Sequence, residues 1–319
     1  MRKKIVSVLL AGMMLAAALT GCTGTGTQQE SAGQTGQSQE ESLAPAESQV
    51  SAESTGVEET QAGVPKYVFL FIGDGMSYPQ VQLTNYYLSA SQGQNAGTVT
   101  VEGEEKTKLD SKNNLTMMSF PIAGSAQTYD STSFAPDSAS TATSIATGNK
   151  TWSGSINVSE DFTQTYETIA EKLKAQKDMK IGILSTVNLN HATPAAFYAH
   201  QASRSSYYDI GLEMIDSGFD YFAGGGLLQP TGKEKDKEDL YALAEAAGYK
   251  VVQTQAEAEA LKAEDGKVIA IDEHLADSSA MSYELDRAEE EWALADYVEK
   301  GIEVLDNDKG FFMMVEGGK

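Results

Sequence analysis

Lys66-Tyr67-Val68-Phe69-Leu70-Phe71-Ile72-Gly73-Asp74-Gly75-Met76 decides the fold. Seven residues with valine, phenylalanine and isoleucine are too few for a helix, and they stop at a glycine on either side of an aspartate. The reading is a buried strand, Lys66 to Ile72, that delivers the Asp74 carboxylate where the backbone can approach a ligand. Open α/β sheets place their sites at such strand ends. Two further apolar runs repeat the pattern. Ile181 to Thr186 leads into His191-Ala192-Thr193-Pro194, read as the opening of a helix that runs toward Arg204, and Phe311 to Val315 delivers Glu316 into Gly317-Gly318.

A different kind of segment lies between them. In Asp137-Ser138-Ala139-Ser140-Thr141-Ala142-Thr143, proline and aspartate precede a run of small residues, which reads as a helix start with Ser138 in the first turn. A helix N-terminus carries partial positive charge and unpaired N–H groups, so it can hold phosphate or sulfate beside a nucleophilic oxygen. The plainer reading is a capped small-residue helix packed on a sheet.

Gly73-Asp74-Gly75-Met76, Asp137-Ser138-Ala139, His191-Ala192-Thr193-Pro194-Ala195 with Arg204 beyond it, and Val315-Glu316-Gly317 together resemble the alkaline phosphatases, in the same order and with similar spacing, over roughly Lys66 to Lys319. The resemblance implies a metal-dependent phosphate monoester hydrolase that works through a phosphoserine on Ser138. It makes Ser138 and Arg204 the catalytic residues, with Ser138 also a zinc ligand and Arg204 a planar fork for two phosphate oxygens. Asp74 would bridge a zinc and a third metal. Thr193 and Glu316 would complete that third site, whose oxygen donors suit magnesium. His191 stands where many bacterial members have aspartate and animal members histidine. It reads as steadying the site in preference to binding the ion, with direct ligation to the third metal as the alternative. Two zinc sites (Zn2+) and one magnesium site (Mg2+) are therefore implied. Yet the aspartate and histidines that supply most zinc ligands in the family follow the Glu-Gly-Gly-Lys stretch, and Lys319 is the last residue given. The chain carries three histidines, so the reading is of the N-terminal portion of such a domain, its C-terminal part missing, weakly active or inactive by itself. The alternatives are a non-catalytic, lipid-anchored phosphate- or metal-binding protein and a sister phosphodiesterase or sulfatase. A triad-type serine hydrolase lacks its Gly-x-Ser-x-Gly elbow.

Residues 1–21 carry Arg2, Lys3 and Lys4 before an apolar run through Leu19, a secretory signal, and Leu19-Thr20-Gly21-Cys22 looks like a bacterial lipobox. Cys22, the one cysteine of the chain, is then the lipidated residue, and the protein is exported and anchored on the extracytoplasmic face of a bacterial membrane by lipid alone. Residues 22–64 are rich in Gly, Ser, Thr, Gln and Glu without lysine, arginine or aromatic residues, the composition of a disordered tether. A net charge of −23 argues against nucleic acid or an anionic membrane surface as a partner. Small phosphate monoesters remain as partners, and a homodimer is left open.

Residues 65–319 are enough for one large α/β domain: a largely parallel central sheet with helices on both faces, inferred from strands alternating with helices. Helices are expected at Tyr78–Leu88, Tyr166–Ala175, up to Ser217, Asp239–Ala247, Ala256–Ala263 and Glu289–Leu305, the last with Trp292, Ala293, Ala295 and Val298 inward. Strands are expected at Asp220–Phe222, Lys250–Val252 and Val268–Ala270, and a polar excursion over Gln92–Asn114. Gly224-Gly225-Gly226 lacks the lysine and Ser/Thr of a phosphate loop and reads as strand-end geometry. His200, placed on the helix before Arg204, reads as structural, and His274 as a surface residue.

Overall fold

The computed structural model describes residues 65–91, 95–109 and 115–319, all within one compact unit, Gln61–Lys319. The signal segment, Cys22 and the tether lie outside the described residues. Six strands, β1 (Tyr67–Gly73), β4 (Lys180–Asn188), β5 (Tyr221–Gly225), β6 (Tyr249–Val252), β7 (Lys267–Ile271) and β8 (Phe311–Gly317), form one sheet in the order β1-β8-β4-β5-β7-β6. Every neighbouring pair in it is parallel. All carboxyl ends therefore face the same way, and Ile72 of β1, Glu316 of β8 and Ser185 of β4 stand in register across it.

Helices cover both faces, as expected. On one side the small-residue face of α2 (Ser138–Thr147) packs with α3 (Ile169–Lys177), α5 (Tyr207–Asp216) and α6 (Leu240–Ala246) over Ile181, Ile183, Phe222, Ile269, Phe312 and Met314. On the other, α7 (Gln255–Glu259) and α8 (Leu294–Leu305) cover Leu184, Tyr221, Val268, Met313 and Val315. In between, α1 (Tyr78–Ser91) follows the Asp74 turn, and α4 (Ala192–Ala195) follows β4. The period-two side-chain alternation of each strand divides these two sets.

Several expectations are corrected. Strand β1 is not buried: it stands at the end of the sheet among the described strands, with Tyr67, Phe69 and Phe71 exposed on one face and the alternate residues half-buried. The Gln92–Asn114 excursion contains an antiparallel hairpin, β2 (Asn95–Val101) and β3 (Glu104–Leu109), turning through Glu102 and Gly103, both at positive φ. The helix expected from His191 toward Arg204 stops at α4: the Asn157 amide donates to the carbonyls of Ala196 and Ala199 at 2.8 Å each, and the Thr168 hydroxyl donates to that of Phe197 at 2.9 Å. Side chains that capture carbonyls in this way compete with helix continuation. His200 thus lies off any helix, tied to the Tyr166 carbonyl and flanked by Glu171 and Glu213, a structural position. Helix α8 starts at Leu294, five residues later than expected, where Asp296 accepts from the Ala293 N–H. Its inward face is Tyr297, Gly301, Val304 and Leu305, with Trp292 and Val298 half-buried against the same core as expected, while Ala295 is exposed.

Gly224 shows how tightly β5 approaches β4. It sits at φ +119°, and a Cβ there would lie 2.0 Å from the Ser185 carbonyl oxygen. Backbone atoms cannot yield as a side-chain tip can. Gly224→Ala is expected to cost more than about 4 kcal/mol, read as a large drop in the urea unfolding midpoint.

Candidate active site

The site assembles at the carboxyl ends of β1, β8 and β4. Helix α2 begins as read: Asp137 is the cap, its Oδ1 accepting from the Ser140 N–H at 3.1 Å, and Gly148 closes the helix in the left-handed region at φ 77°. Ser138 therefore occupies the first turn. The N–H groups of Ser138 and Ala139 point where no helical carbonyl can reach them. The Ser138 hydroxyl donates to Asp74 Oδ2 at 2.7 Å, a contact between residues 64 apart in the chain. Asp74 is carried beyond β1 by the bond from its N–H to the Gly317 carbonyl at 3.0 Å.

Arg204 reaches the same place from the loop after α4. Its Nη1 donates to Asp137 Oδ2 at 2.8 Å, and Nη2 lies 3.2 Å from His191 Nε2. A guanidinium can only donate, so His191 Nε2 accepts and its proton sits on Nδ1, which is buried without a partner. Burial and the neighbouring Arg204 lower the His191 pKa, so the ring is neutral at physiological pH. Two bonds leave Arg204 an N–H on each terminal nitrogen for an anion. Burial alone would raise the Asp137 pKa, but N–H groups from Gly154 and Ser140 and the Arg204 guanidinium outweigh it and hold the carboxyl below its usual range.

Asp74, Ser138, Thr193 and Arg204 line one cavity of about 530 Å³. Glu316 lies beside it within β8, fully buried. Its Oε2 accepts from the Ser185 hydroxyl, and its Oε1 has no partner. Burial pushes its pKa up, against the hydroxyls of Ser185 and Thr193. All the residues singled out for the site are thus at this strand end, except Cys22, outside the described residues.

Asp130 was not anticipated. It is buried, and its Oδ1 accepts from the Thr132 N–H (2.8 Å), the Thr132 hydroxyl (3.0 Å) and the Ser133 N–H (2.6 Å). Its Oδ2 accepts from the hydroxyls of Ser140, at 2.8 Å, and Ser153. Burial opposes ionisation, yet these bonds bring its pKa down to about 2. Asp130 fixes the loop entering α2 and, through Ser140, the cap residue. The signal available in sequence was an aspartate followed by Ser131-Thr132-Ser133, the composition of an Asx turn.

A hydroxyl on a helix N-terminus, bonded to a strand-end carboxylate and sharing a cavity with an arginine above a parallel sheet, defines an α/β protein with its polar side chains gathered at one strand end. The alkaline phosphatase family model matches residues 65–319. The chain belongs to the alkaline phosphatase family. It is 30% identical to alkaline phosphatase 4 of Bacillus subtilis over 260 residues, 79% of this chain and 51% of that one. It is 28% identical to the tissue-nonspecific alkaline phosphatase of Homo sapiens over 308 residues, 82% of this chain and 56% of the relative. Among solved structures, the alkaline phosphatase of the Antarctic bacterium TAB5 superposes with a TM-score of 0.59 at 28% identity, covering 79% of this chain and 65% of that chain. A histidine variant of the TAB5 enzyme, with magnesium bound in its M3 site, gives 0.58 at 26% identity over 79% and 64%. The chain spans about half the length of these curated relatives.

Proposed function

We propose that this domain is a phosphate monoester hydrolase in which Ser138 is the nucleophile. The single observation that carries the reading is the Ser138 hydroxyl on the α2 N-terminus, bonded to Asp74 and sharing its cavity with Arg204. Phosphate monoesters are dianions, and their transfer is a matter of positioning and charge neutralisation. Asp74 Oδ2 takes the Ser138 proton as Oγ attacks phosphorus in line, the bond from phosphorus to the ester oxygen breaks opposite it, and the departing alkoxide takes a proton from water. The free N–H groups of Arg204 hold two equatorial oxygens, and those of the α2 first turn receive the third. Asp137 and His191 keep the guanidinium in its plane. A phosphoserine on Ser138 results, which water then hydrolyses.

The family implies metals, and the residues present fit them unequally. Asp74, Thr193 and Glu316 offer oxygen donors, and the unpartnered Oε1 of the buried Glu316 calls for a cation. These three residues would hold magnesium, which would supply positive charge beside the transferring group. For a zinc pair the fit fails: among the described residues no group of three His, Cys, Asp or Glu side chains could hold a metal ion. No zinc step is derived, and we take the chain alone to be weakly active or inactive. Small phosphate monoesters are the proposed substrates. The leader supports export and a lipid anchor at Cys22, and among the described residues no helix is long and apolar enough to cross a membrane.

The test is phosphate itself. Calorimetric titration is expected to show inorganic phosphate binding that needs magnesium, and Arg204→Ala is expected to weaken it by about 2–4 kcal/mol, or ~30- to 1,000-fold, for two charge-assisted bonds. Arg204→Lys, which keeps charge without the fork, falls between. Unchanged affinity in Arg204→Ala sinks the anion site. Binding by a wild type that forms no phosphoserine favours the non-catalytic phosphate-binding alternative.

A further inference from the structure

Arg204 lies between α4 and α5, outside any helix or strand. A guanidinium fork grips two phosphate oxygens only where its backbone is fixed, since a misplacement of about 1 Å in a clamping group costs ~100-fold. Residues 154–157 do the fixing. The Asn157 amide holds the carbonyls of Ala196 and Ala199, and Ile156 and Gln201 exchange both backbone bonds, at 2.9 and 3.0 Å. The Ser155 hydroxyl donates to the Ala202 carbonyl at 3.1 Å, and the Gly154 carbonyl accepts from the Arg204 N–H at 2.7 Å. The two stretches thus run antiparallel, bonded step by step up to the arginine.

The same four residues are tied to the nucleophile's helix. The Gly154 N–H donates to Asp137 Oδ1 at 3.0 Å, at the start of α2, and the Asn157 N–H donates to Thr143 Oγ1 at 3.0 Å, farther along it. Ser138 stands between these two anchors. Thr143, Ser155, Ile156 and Asn157 are all buried. At φ +50° the Asn157 backbone is one that glycine serves as well. Its Oδ1 is buried with no partner, which opposes folding, so the amide is there for what its two N–H groups hold.

Resting on the reading of the anion site above, we propose that Asn157 is a positioning residue for phosphate binding: it couples α2 to the stretch that carries Arg204 and so fixes the guanidinium relative to Ser138. It acts through Arg204 and touches no substrate. Asp74 and Glu316, at the ends of β1 and β8, share none of these bonds. Removing the amide therefore loosens the arginine while leaving the carboxylates in place.

Calorimetric titration of the full chain with inorganic phosphate, in magnesium, tests this. Asn157→Gly, which suits the positive φ and keeps the N–H to Thr143, is expected to weaken phosphate binding about tenfold. In the Arg204→Lys background, where a point charge on a flexible stem has no fork to aim, the same substitution should weaken it less than about twofold. Thr143→Val keeps the shape of a buried side chain and removes the acceptor, and should show the same contrast at about fivefold; Thr143→Ser, which retains the acceptor, should bind as the wild type does. Should Asn157→Gly fail to fold, the Thr143 pair decides. An equal loss in both backgrounds makes the segment a structural support only and overturns the proposal, as does undiminished affinity, and either leaves the anion site intact. Absence of phosphate binding by the wild type overturns the anion site and the proposal together.

Discussion

Ser138→Ala is expected to abolish phosphoserine formation altogether and to lower the phosphate-ester turnover the wild-type chain shows with added magnesium by ~10³-fold or more. The substitution removes one atom at a position where structure depends little on it. Asp137 caps α2 through the Ser140 N–H, a bond that alanine at 138 does not touch. Alanine is also the best helix former. Asp74, which loses its hydroxyl donor, is exposed and recovers water. The fold should therefore persist, with an unchanged circular dichroism spectrum and unfolding midpoint. Acid quenching after incubation with phosphate, followed by mass spectrometry of the peptide carrying Ser138, should show a phosphorylated fraction in the wild type and none in the variant. If the variant turned over esters at the wild-type rate, water and not serine would be attacking phosphorus.

The strand ends were legible because their chemistry is local. An apolar run that breaks at glycine-flanked Asp74, or at Glu316 before two glycines, announces both the strand and its carboxylate in a few residues. The cap at Asp137 is equally local, and the structure reproduces it. What was hidden depends on distant parts of the chain. Nothing in Tyr67 to Gly73 reveals that β8 comes to lie on one side of it and nothing among the described strands on the other. The early end of α4 is imposed by Asn157 and Thr168, remote in sequence. The inner face of α8 was legible only in part: Trp292 and Val298 pack against the core as read, but Tyr297, Gly301, Val304 and Leu305 are the residues the sheet buries, and Ala295 is left exposed. Asp130 needed Ser140 and Ser153 brought beside it before its role could be seen.

The charges of the site leave one imbalance, and it supplies the other large effect. Near Arg204 stand Asp74, Asp137 and Glu316; Arg204 is committed to Asp137 at 2.8 Å, and Glu316 is buried without an ion pair. Burial raises the Glu316 pKa above its ordinary value of 4.5. A carboxyl so raised stabilises the fold while protonated, fully below about pH 4.5, and that contribution is lost as pH climbs through the folded-state value. Metal-free wild type should accordingly lose stability above that ordinary value, and Glu316→Gln, which keeps an acceptor for Ser185 but carries no charge, should not. At pH 8 without metal the variant is expected to unfold about 2–8 °C higher, for roughly 1–2 kcal/mol relieved in a chain of this size. Magnesium reverses the order. At a hundredfold excess over its dissociation constant it should add about 2.7 kcal/mol to the wild type and close to nothing to the variant, whose amide cannot replace a carboxylate ligand. Thermal unfolding at pH 5 and pH 8, with and without magnesium, gives all four comparisons. A wild type indifferent to magnesium, or a variant that melts lower in its absence, would mean that Glu316 is buried for packing and that no cation belongs beside Asp74 and Thr193.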